Sequence, residues 1–98
     1  MATTAKPWDG SASRWPNAGA YCDACLINEN TGPRSGWTKD KCHLPVKEPD
    51  GRVNLRALAA AAARLNQTKA SPASLAAAKA KLRRLYAQNH MTLPESLK

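Results

Sequence analysis

The sequence predicts a mainly α-helical fold with room for a small α+β variant, and three observations carry that expectation. Leu55, Leu58, Ala62 and Leu65 recur at i, i+3, i+7 and i+10, and Leu75, Ala78, Leu82 and Leu85 repeat the spacing, so each stretch offers one apolar stripe of helical period. Each stripe also follows a helix-start signal. Asn54 stands where an N-cap belongs, and Ser71-Pro72 sets a capping serine before a proline at the first helical position. Finally, only Trp37-Thr38 and Leu44-Pro45-Val46 read as strands, and Pro45 confines the second to an edge, so at most a short two-stranded β element is expected.

Element by element, residues 1–7 are small and polar and are expected to be disordered. One small domain should follow over 8–98: a cysteine- and tryptophan-bearing cap at 8–53, a basic helical hairpin at 54–90 and a tail at 91–98. Trp8 to Pro16 is rich in turn formers, and its two tryptophans need a surface to pack on. A helix is expected from about Asn17 to Ile27 with Tyr21, Ala24, Cys25 and Ile27 inward, although Gly19 weakens it. Asn28 to Gly36 is a loop, and Pro49-Asp50-Gly51 is a tight turn in which proline sets φ, aspartate bonds back to its own backbone and glycine accepts φ > 0. Asn66 to Ala70 then breaks the helical pattern, which makes the two striped segments an antiparallel αα-hairpin, packed beneath the N-terminal helix and the tryptophan-rich turns. Pro94 ends the regular part, and Leu97 is expected to tuck back as an anchor.

The chain has 98 residues, enough for one modest core. Alanine supplies much of the 43% hydrophobic content and phenylalanine is absent, so Trp8, Trp15, Trp37, Tyr21, Tyr86 and the leucines carry most of the burial. Each such side chain contributes roughly 1.5–3 kcal/mol when buried. So thin a core invites a staple, either a metal or a partner. No run reaches the ~18 apolar residues of a membrane span, no signal-peptide core follows Met1, and the chain reads as intracellular.

The net charge of +8 is unevenly placed. Residues 1–50 hold six basic and six acidic groups, whereas residues 51–98 hold nine basic groups against Glu95 alone. Arg56, Arg64, Lys79, Lys81, Arg83 and Arg84 lie on the outer arcs of the two expected helices, where they suit an anionic partner: an acidic protein surface, or phosphate bound without regard to base sequence. A solvated surface is the plain alternative. No glycine-bearing recognition turn and no interleaved aromatic accompanies these cations, which argues against sequence-specific DNA reading.

Three cysteines in an intracellular chain suggest thiols or metal ligands rather than a disulfide framework. Cys22 and Cys25 form Cys-x-x-Cys, and Cys42-His43 follows after sixteen residues, so Cys22, Cys25, Cys42 and His43 together could serve as a tetrahedral zinc set. Against this, adjacent side chains such as Cys42 and His43 diverge, and a helical Cys-x-x-Cys lacks the usual knuckle turn. Two other readings stand beside zinc: small buried cysteines with His43 hydrogen-bonded near the Pro49–Gly51 turn, or a redox pair. There is no Gly-rich phosphate loop and no recognisable nucleophile–base setting, so the chain is expected not to be an enzyme.

Trp8-Asp9-Gly10-Ser11-Ala12-Ser13-Arg14-Trp15, then Tyr21 with Cys25-Leu26-Ile27, then Leu44 to Gly51 resemble the opening blocks of a small module. Such modules are associated with head-morphogenesis and capsid-maturation protease proteins of tailed bacteriophages and actinobacterial prophages. Val53-Asn54 through Leu65, Ala78 through Tyr86 and Pro94 to Leu97 are similar to its continuation, so the likeness runs from Trp8 to the end. The resemblance implies an accessory, non-catalytic part in head assembly, with phage head proteins as partners and the host bacterial cytoplasm or the virion as its location. Cys22 departs from the pattern, which features Cys25 rather than a cysteine pair, and leaves the zinc reading open.

Overall fold

A computed structural model describes residues 2–98; Met1 lies outside them, and with it the first residue of the expected disordered start. Local chemistry sets the beginnings of the two long helices. Asn54 accepts the backbone N–H groups of Arg56 at 2.8 Å and Ala57 at 3.2 Å, and a helix runs from Leu55–Arg64 (α2), tightening into a 3₁₀ turn at Leu65–Gln67. Ser71 accepts from the Ser74 N–H at 3.1 Å and starts the helix Pro72–Gln88 (α3). Glu29 adds a second cap there, accepting from the Ser71 N–H at 3.1 Å and the Ser74 hydroxyl at 3.0 Å, where a carboxylate also suits the helix dipole.

The stripes read from the sequence face the core. Leu58, Ala62 and Leu65 of the first segment and Ala78, Leu82 and Tyr86 of α3 are buried in one cluster; Leu55, Leu75 and Leu85 are partly buried against it. Leu97 is fully buried in the same cluster and anchors the tail as expected. The result is a mainly α fold with a small β component, in line with the sequence.

The N-terminal half departs from expectation in three places. First, the helix that begins at Asn17, whose side chain accepts the Ala20 N–H at 2.8 Å, covers only Ala18–Ala24 (α1). The chain then extends as Cys25–Asn28 (β2), antiparallel to Cys42–Pro45 (β3), with Cys25 opposite Pro45, Ile27 opposite His43 and Asn28 opposite Cys42. Leu26 and Ile27 are both buried in consequence, which a single helical stripe could not do as well. Trp37-Thr38 is not a strand; it joins two 3₁₀ turns, Arg34–Gly36 and Lys39–Lys41.

Second, the expected disorder before Trp8 gives way to pairing. Thr3–Thr4 (β1) lies parallel to Val53–Asn54 (β4), the Val53 N–H donates to the Ala2 carbonyl at 3.1 Å, and the described residues therefore form two two-stranded sheets rather than one. Third, the β2–β3 ladder sits among the helices: α1 packs on both strands, α3 on β2 and α2 on β3. The tryptophans do not simply cap the helical pair. Trp15, Tyr21, Cys22, Ala24 and Cys42 make a second small cluster, and Trp8 touches both clusters. Leu44 belongs to the large cluster although Cys42, two residues earlier, belongs to the small one; Leu44 adopts φ +62°, an uncommon backbone for leucine, at the point where the strand changes sides.

The Pro49–Gly51 turn has the expected chemistry. Asp50 accepts the Arg52 N–H at 3.0 Å, Gly51 takes φ +94°, and the arms close through the Glu48 N–H to Arg52 carbonyl bond at 2.8 Å.

Candidate functional site

The four residues read as a zinc set are separated by the fold. Cys22, on α1, and Cys42, at the start of β3, are joined in a disulfide with Cα atoms 5.4 Å apart, which corrects the expectation of free thiols. The cause is the helix-to-strand switch at Ala24. β2 runs back beside β3 and α1 folds onto both, so Cys22 meets Cys42, while Cys25 falls opposite Pro45. His43 follows Cys42 on an extended strand, so its ring points away from the buried sulfur; it is half-buried and lies within electrostatic reach of Glu29 and Asp40, not at the Pro49–Gly51 turn. Among the described residues no three His, Cys, Asp or Glu side chains gather as a metal cage. Burial pushes the Cys25 thiol up to about 12, an effect the neighbouring Tyr21 hydroxyl only partly offsets, so Cys25 stays protonated and is a poor ligand or nucleophile at neutral pH.

The cap is organised instead by a buried carboxylate that sequence reasoning did not single out. Glu48 is 2% exposed. It accepts from Arg14 Nη2 at 2.5 Å and Asn54 Nδ2 at 3.0 Å and pairs with Lys6 Nζ at 3.3 Å. Burial acts to raise its pKa, but the donors from Arg14, Asn54 and Lys6 outweigh it and hold the carboxyl below its ordinary value. Arg14 also donates to the Asp9 carbonyl and lies over the rings of Trp8 and Trp15, 5.7 and 5.6 Å from their centroids. The Lys39 ammonium ties the same segment by donating to the carbonyls of Ala12 and Trp15. This is what the two tryptophans pack on.

The six cations proposed to meet an anionic partner are left without one. None of Arg56, Arg64, Lys79, Lys81, Arg83 and Arg84 forms an ion pair among the described residues; the pairs that do form use Lys6, Arg14, Arg34, Arg52 and Lys98. All are exposed except Lys79, which is half-buried. The fold divides them. Lys81 and Arg84 border a cleft of about 360 Å³ beside β2, joined there by Lys47, which sequence reasoning missed because its place depends on the turn between β3 and β4. Arg64 borders a separate groove with Trp8, His43 and Lys69. Arg56, Lys79 and Arg83 line neither of these two.

One exposed ion pair explains a residue that looked unfavourable. Arg34 lies across α1 at Gly19, where an added Cβ would come 2.7 Å from Nε, and from there grips Asp23 with two bonds of 2.8 and 2.6 Å. Among the described residues, no helix is long and apolar enough to cross a membrane. No protein-family model, no curated protein and no solved structure matches this chain.

Proposed function

We propose that the chain is a non-enzymatic interaction module that docks on an acidic protein surface through the exterior of an antiparallel α2/α3 pair, in the assembly or maturation of a tailed-phage or prophage head. The observation that carries the docking half is the set of six helix-borne cations with no ion pair among the described residues, while the ion-paired carboxylates, Asp23, Glu48, Asp50 and Glu95, hold other cations. The phage setting rests on the resemblance of Trp8 to Gly51 and of the two helices to head-morphogenesis modules. The buried Cys22–Cys42 link favours the virion over the reducing host cytoplasm as the place where the protein resides.

Co-expression with the head proteins of the same genome tests this reading. A complex that survives purification and dissociates as salt rises is the expected result. Failure to form a complex with any of those proteins removes it. The rival, a zinc-stabilised nucleic-acid-binding protein, shares the cations but needs Cys22 and Cys42 reduced before zinc could be held. Steeply salt-dependent DNA or RNA binding, without any protein complex, would favour its nucleic-acid half.

A further inference from the structure

We infer that the cleft between the β3–β4 turn, β2 and α3 is a binding site for an acidic, aliphatic peptide segment of a partner protein. The inference rests on the docking reading above and narrows it to one place. Three cations from two distant parts of the chain converge on this cleft: Lys47 from the turn, and Lys81 and Arg84 one helical turn apart on α3. None forms an ion pair among the described residues, although Lys47 lies within electrostatic reach of Asp23. Lys81 is held over the strand by its bond to the Leu26 carbonyl at 3.4 Å, which leaves its remaining protons for a ligand.

The walls select the class of anion. Leu85, half-buried, supplies the accessible aliphatic surface between the cations, over a floor formed by the nearly fully buried Leu26 and Val46, and Gln88 adds an amide at the end of α3. No aromatic ring lines the cleft, so nothing is offered for a nucleobase to stack on. Asp23 also lines the cleft, with both oxygens taken by Arg34. The guanidinium of Arg84 is the fork that a carboxylate fits, and the volume of about 360 Å³ suits one or two aliphatic side chains. A short peptide alternating acidic and aliphatic residues satisfies all of these features together.

The test uses fluorescence anisotropy with the full chain and a labelled Asp-Leu-Glu-Leu-Asp peptide, its Asn/Gln counterpart and an oligothymidylate of equal charge. The acidic peptide should bind and its neutral counterpart should not. Lys47→Glu, Lys81→Glu and Arg84→Glu should each weaken binding about fivefold to tenfold, with circular dichroism unchanged, while Lys41→Glu should leave it within about twofold. Amide resonances of Leu26, Val46 and Leu85 should shift on titration. No binding of the acidic peptide, an equal loss with Lys41→Glu, or tighter binding of the oligothymidylate overturns the proposal. If Arg56→Glu/Arg83→Glu weakens peptide binding while the cleft variants do not, the cleft fails and the broader docking face stands. If the peptide binds in the cleft but no head protein is captured, the cleft stands and the head-assembly reading fails.

Discussion

Arg14 and Glu48, thirty-four residues apart, meet at 2.5 Å with the glutamate side chain 1% exposed and the arginine side chain 26% exposed. Removing the arginine leaves a buried charge with fewer partners. Arg14→Ala should destabilise the fold by about 2–4 kcal/mol, since the partial exposure of Arg14 lets solvent recover some of the loss. Glu48→Gln should cost less, because the amide oxygen keeps one acceptor for these donors. Urea denaturation followed by tryptophan fluorescence measures both, and equal small effects would show that the pair contributes little.

The same carboxylate sets a pH dependence. Its pKa is raised by burial but pulled down further by Arg14, Asn54 and Lys6, so the native value lies below the ordinary one of 4.5. Between the two values the unfolded chain binds more protons than the native one, and lowering the pH favours unfolding. The contribution is complete above the ordinary value and lost as the pH falls through the native one. Thermal melts of wild type and Glu48→Gln from pH 7 to pH 3 should converge at the acid end; a constant difference contradicts the assignment.

Asn54 does two things that a simple cap would not. Its oxygen caps α2 while its amide donates to the Lys6 carbonyl at 3.2 Å and to Glu48 at 3.0 Å. Aspartate caps helices about as well as asparagine, so a cap alone predicts that Asn54→Asp is nearly neutral. Here it should cost more than about 2 kcal/mol, because a second carboxylate replaces the donor facing Glu48. Part of the loss should return as the pH falls. Chemical denaturation at pH 7 and pH 4.5 separates the two accounts.

The Cys22–Cys42 link closes a loop with a sequence separation of 20. Its removal in a Cys22→Ala/Cys42→Ala variant should lower stability by about 3 kcal/mol. Mass spectrometry of the unreduced chain should show two hydrogens fewer than the reduced form. Cys25, held protonated by burial with its pKa pushed up to about 12, should react with iodoacetamide at pH 8 at least about tenfold more slowly than a free thiol. Fast alkylation would mean an open, ionised sulfur.

What could be read from the sequence was local. Asn54, Ser71-Pro72 and the Pro49–Gly51 turn bond within a few residues of themselves, and the structure keeps each of those bonds. The leucine stripes were legible because period alone decides which face is apolar. By contrast, Ala24 to Ile27 is too short an apolar run for period to separate helix from strand, and only β3, sixteen residues on, decides it. Thr3–Thr4 carries no apolar signal, and its pairing with Val53–Asn54 spans half the chain. The disulfide and the Lys47 side of the cleft depend on those same long-range pairings. The cation set was visible as composition, but its lack of internal partners was not, because Arg34 and Arg52 look no different in sequence from Arg56 and Arg83.

The most direct test of the account is quantitative capture of co-expressed head proteins by three forms of the chain: wild type, Arg56→Glu/Arg84→Glu, and Lys41→Glu/Lys98→Glu. The last two carry the same net charge and change only exposed residues. The helix variant should lose at least about tenfold in captured partner while the other variant retains it. Equal capture by both would contradict the claim that the partnerless cations of α2 and α3 form the docking face.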